Sequence, residues 1–72
     1  MDLQIFLREL EAMLEVGPNS LTGNEVLKNM EAWDSMAILG FIALVDNKFH
    51  KKILLNDLTM AKSVNDLYSL VS

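Results

Sequence analysis

The sequence predicts an all-α protein: a small bundle of four helices, three substantial and one short, with a long first loop. Three observations lead there. Apolar residues recur at spacings of three and four in separate stretches, which is the period of one helical face. Only 3 Gly and 1 Pro interrupt the 72 residues, and the one strand-like run, Ile53-Leu54-Leu55, has no partner strand. Hydrophobic residues make up 51% of the chain, a content that favours a packed core over disorder. With 0 Cys, neither a disulfide framework nor a thiolate metal site can staple the fold. Residues 1–72 therefore read as one domain held by core packing alone, at a size where such a core is only just adequate.

The first helix is predicted over residues 2–16. Leu3, Phe6, Leu7, Leu10 and Leu14 share one face, and Gln4, Arg8, Glu11 and Glu15 lie opposite. Gly17-Pro18-Asn19 is expected to stop it. Residues 17–33 have no clean period, but Leu21, Val26, Leu27, Met30 and Trp33 are spaced to pin the loop to a core, with a helical turn near 24–29. Ordinary connections run to about 4–6 residues, so a loop this long implies a functional or organising role.

The second helix is predicted over 35–49, with Asp34 as its N-cap. Ile38, Phe41, Ile42, Val45 and Phe49 form its core stripe, and Met36, Gly40, Ala43 and Asn47 form a second stripe of small or unbranched residues. Gly40 costs a helix about 1 kcal/mol relative to Ala, so something other than propensity put it there. His50-Lys51-Lys52 closes the helix with side chains that suit the negative end of its dipole. Ile53 to Leu55 reads as a buried loop leading to a single turn over 56–60. Ser63 caps a last helix to about residue 71, with Asp66 completing a capping box and Val64, Leu67, Tyr68 and Val71 facing the core. Met13, Met30 and Met60 read as gap-fillers, and Trp33 as a loop-to-core anchor.

Charge narrows the function. The chain carries 10 acids against 6 bases, a net charge of -4. Lys51-Lys52 is its sole basic pair, which makes nucleic acid a poor partner. No apolar run approaches the roughly 20 residues of a membrane span, and Met1-Asp2-Leu3-Gln4 lacks the basic start of a signal peptide. A soluble, cytoplasmic, monomeric protein is expected. Catalysis is not: His50 stands alone among lysines, so no nucleophile triad or multi-ligand metal site can be assembled. The pairs Glu9/Glu11 and Glu11/Glu15 read as solvated charge on the outer face of the first helix.

Ser35 differs from the other hydroxyls. It follows the cap at the first turn of a strongly patterned helix, beside unpaired backbone N–H groups and the positive end of the dipole. A phosphodiester attached there would be electrostatically favoured. On these residues the sequence resembles a known family. Trp33-Asp34-Ser35-Met36 looks like the Asp-Ser-Leu motif of acyl carrier and peptidyl carrier proteins. The long loop before the Ser, the stretch from Met36 to Phe49, the Ile53 region, Asp57-Leu58 and Ser63-Val64-Asn65-Asp66-Leu67 fall at family spacing, so nearly the whole chain is covered.

The resemblance implies that Ser35 carries a covalent 4′-phosphopantetheine arm derived from coenzyme A, and that Asp34 helps present it. It implies a cargo held as a thioester, acyl or aminoacyl, with contacts to partners through Met36, Ala37, Gly40, Ala43 and Asn47. The implied partners are a phosphopantetheinyl transferase, a loading ligase and acyl-transferring or acyl-modifying enzymes. Members serving bulk fatty-acid synthesis usually carry acids along this helix. Here Ala37, Gly40, Asn47 and Lys48 stand at those positions, and Asp46 is the one acid after Asp34 in the helix. That departure, with Trp33 before the Asp-Ser pair, resembles stand-alone carriers of specialised pathways. The competing reading is a helical protein-interaction module that uses the same face without modification; Ser35→Ala separates the two.

Overall fold

A computed structural model of the protein describes residues 2–72. Four α-helices follow in order: α1 (Leu3–Leu14), α2 (Ser35–Phe49), α3 (Leu55–Met60) and α4 (Val64–Val71), with a 3-10 turn at Leu27–Asn29 inside the first loop. The all-α bundle expected from the periodicity is the fold. There is no strand among the described residues, only one antiparallel bridge between Val26 and Ser63.

Helices α1, α2 and α4 each start where a side chain takes up a free amide. Asp2 Oδ1 accepts from the Gln4 amide at 2.8 Å, and Asp34 Oδ1 accepts from the Ala37 amide at 2.8 Å. Ser63 and Asp66 exchange bonds as the expected capping box. The first helix ends earlier than Gly17 suggested. Glu15 takes the left-handed conformation at φ 58°, and the Val16 amide donates back to the Glu11 carbonyl at 3.1 Å. Helix α2 stops in the same way at His50, φ 55°, where the Lys51 amide reaches the Val45 carbonyl at 3.3 Å.

The core is aromatic at its centre. The Phe6 ring meets Phe41 edge-on at 6.0 Å and Tyr68 at 5.4 Å, in the T-shaped geometry that ring quadrupoles favour. Leu7, Leu10, Val45, Val64, Leu67 and Val71 close around them, fully buried. Ile38, Ile42 and Phe49 of the predicted α2 stripe pack against this core from a half-buried position.

The long loop is organised by a carboxylate. Glu11 was expected on a solvated face, yet it is 3% exposed. Its two oxygens accept the amides of Asn19 at 3.0 Å and Leu21 at 2.9 Å, and the Arg8 guanidinium pairs with it at 2.9 Å. Burial pushes the Glu11 carboxyl up, but the Leu21 and Asn19 amides and the Arg8 charge outweigh that and hold it below the usual range. Further along, the loop is sewn to the start of α4: Leu27 donates to Lys62 at 2.9 Å, Val64 to Glu25 at 3.1 Å and Asn65 to Gly23 at 2.8 Å. Gly23 sits at φ 108°, and a Cβ there would lie 2.3 Å from Asn65 Oδ1, so only glycine fits.

Four apolar residues depart from their expected burial, Leu55 of the predicted buried loop among them at 54% exposed. Leu54, placed by the sequence in a buried loop, is 68% exposed, and Met60, expected to fill a gap, is 79% exposed. Val26 also faces outward. In the segment between α2 and α4, Ile53 and Leu58 are buried and Ala61 packs against the core from a half-buried position; α3 begins one residue before its expected start.

Candidate functional site

Ser35 is the first residue of a 15-residue helix and is exposed. The chain on either side of it is held. Upstream, the Trp33 amide donates to Met30 at 3.1 Å, and the Trp33 ring packs edge-on against Phe41 at 5.7 Å, the loop-to-core anchor expected of it. Asp34 ties the site to the residues downstream, accepting from Ala37 through its carboxylate and from Ile38 through its carbonyl at 3.0 Å. The Asp34 carboxylate is thereby turned to the helix rather than to the hydroxyl. Among the described residues nothing bonds the Ser35 hydroxyl or the amides of Ser35 and Met36. The site is a fixed backbone offering a free hydroxyl beside open N–H groups, where the helix dipole favours an anionic substituent.

An open groove of about 380 Å³ lies beside it, lined by Met13, Leu14 and Glu15 of the α1 end and by Ala32, Asp34, Met36, Ala37 and Gly40. The five expected contact residues divide. Met36 (77% exposed), Ala43 and Asn47 face outward. Ala37 packs against the core, and Gly40 is half-buried and faces α1, where a Cβ would stand 3.5 Å from Met13 Sδ. Gly40 thus gives room to Met13 of its own chain. Leu39 is 63% exposed and shares the outward face with Met36 and Ala43 at helical spacing; the sequence reading passed over it.

His50 and Ser35 stand at opposite ends of α2, about 22 Å apart along the axis. A proton-transfer pair between them is geometrically excluded. Among the described residues no three His, Cys, Asp or Glu side chains cluster as metal ligands, and no helix is long and apolar enough to cross a membrane. No protein-family model, curated protein or solved structure matches the chain. What speaks for a function is the geometry at Ser35 together with the Asp34-Ser35-Met36 resemblance.

Proposed function

We propose that the protein is a carrier. Ser35 takes a 4′-phosphopantetheine arm, and the arm's thiol holds an acyl or aminoacyl group as a thioester for partner enzymes of a specialised biosynthetic pathway. The observation that carries this reading is the free Ser35 hydroxyl on a backbone fixed by the Asp34 cap and the Trp33 anchor. In the modification, a bond forms between Ser35 Oγ and the phosphorus of coenzyme A that bears the pantetheine. The pyrophosphate P–O bond breaks, adenosine 3′,5′-bisphosphate leaves, and the hydroxyl proton passes to a base of the transferase. The residues present suit the resulting phosphodiester: the open amides of the first turn and the positive dipole end lie beside it. The arm supplies the reactive thiol, and the chain supplies attachment, orientation and recognition.

The test is intact mass after incubation with coenzyme A, magnesium and a broad-specificity phosphopantetheinyl transferase. One arm should be gained by the wild type and none by Ser35→Ala, with Ser20, Ser63, Ser69 and Ser72 unlabelled. Labelling that survives in Ser35→Ala would end the assignment. The outward apolar face around Met36 and Leu39 favours a second reading, an interaction module without modification. No labelling by any transferase would leave that reading in its place.

A further inference from the structure

On the other side of α2 from Met13, a second open groove of about 270 Å³ runs between that helix and the segment that follows it. It is lined by Leu39, Ile42, Ala43, Asp46, Lys51, Lys52 and Ile53. We propose that this groove docks a partner protein through an acidic amphipathic helix. One large apolar side chain of that helix enters the groove, and its flanking carboxylates meet Lys51 and Lys52. The proposal stands whether or not Ser35 is modified.

Three features of the groove select this partner. Four of its seven lining residues, Leu39, Ile42, Ala43 and Ile53, are apolar, the other three are charged, and Leu54 and Leu55, next in the chain, are exposed as well. Contiguous exposed apolar surface of this kind marks an interaction site. A groove with an apolar floor is the surface on which an amphipathic helix lays its apolar face. The charges give the polarity. Lys51 and Lys52 are exposed, and no acid among the described residues pairs with either, whereas Lys48 is engaged by Glu9 at 3.7 Å. Two unpaired cations at the rim of an apolar groove complement carboxylates on the partner. Asp46 on the same lining opposes them and leaves a local excess of one positive charge. A bilayer of anionic lipid is the weaker match, because the whole chain carries -4 and would be repelled over the wider surface.

Two synthetic helical peptides with the same leucine face, one flanked by Glu and one by Lys, provide the test. Each is titrated into the unmodified protein by calorimetry and by amide chemical-shift mapping, beside phosphatidylglycerol vesicles. The Glu peptide should shift Leu39, Ala43 and Ile53 and bind about tenfold more tightly than the Lys peptide. The double variant Lys51→Glu/Lys52→Glu should invert that preference, and Asp46→Asn should strengthen the Glu peptide about twofold. All three side chains are exposed, so these variants keep the fold. Preference for the Lys peptide would overturn the proposal. So would shifts mapping elsewhere, no binding of either peptide, or binding to the vesicles alone.

Discussion

In the loop between α1 and α2, Leu21 and Leu27 are buried and the backbone around them is bonded to Glu11, Lys62 and α4. In the segment between α2 and α4, Ile53 and Leu58 are buried, while Leu54, Leu55 and Met60 face outward. Apolar residues are abundant in both stretches. What differs is the polar side chain available to hold the backbone. Glu11, a helical residue with a loop wrapped across it, holds the loop at Asn19 and Leu21 by accepting two amides, and Leu21 is drawn into the core. In the second segment Asp57 caps α3 locally, at 3.3 Å from the Leu54 amide, and ties it to nothing beyond itself. Leucine content therefore does not decide which connection is held to the rest of the molecule; at Leu21 a buried acceptor does. The looser segment leaves apolar surface on the side of the molecule where Leu39 also emerges.

The sharpest way to break this contrast is Glu11→Ala. Removing a buried acceptor takes away the partner of the Asn19 and Leu21 amides and the counter-charge of Arg8, which keeps its bonds to Asn19 and the Leu21 carbonyl, and the variant should lose about 2–3 kcal/mol in chemical denaturation. The same carboxyl makes stability depend on pH. Its folded pKa is lowered, so its contribution is fully present above the ordinary value of about 4.5 and is lost as pH falls through the lowered value. Acid titration of the unfolding midpoint should show this loss in the wild type and less of it in Glu11→Gln. A variant as acid-sensitive as the wild type would place the dependence elsewhere.

A smaller effect, of opposite sign, is expected at Gly40. A methyl there meets Met13 Sδ at ordinary contact distance, and alanine is the better helix former. Gly40→Ala should therefore raise stability by about 0.5–1 kcal/mol. A loss would show that the α1–α2 contact tolerates no side chain. The smallest effect belongs to the outward segment. Leu54→Gln and Met60→Gln should each change unfolding free energy by less than about 0.5 kcal/mol, against several for a core residue of similar size.

Much of the fold could be read from the sequence, because helical spacing and caps are local. Asp34, Ser63 and the stripes of α1, α2 and α4 act over three or four residues. Glu11 was hidden because its partners, Asn19 and Leu21, lie eight and ten residues away across a turn, and its own position reads as polar. Only the pairing with Arg8 one turn earlier hinted at it. Periodicity places Met36, Ala43 and Asn47 on one face, and they do face outward. It says nothing of what stands opposite Gly40, and that neighbour, Met13, comes from another helix. Leu54 and Met60 show the converse: hydrophobicity proposes burial, and only the path of the chain decides it.

The central claim is the arm on Ser35, and it is tested most directly on the protein purified from its own cells. Its intact mass and that of the peptide carrying Ser35 should show 4′-phosphopantetheine, free or with its thioester cargo, on Ser35 alone. An unmodified Ser35 throughout the purified protein, or an arm on any other serine, would contradict the account.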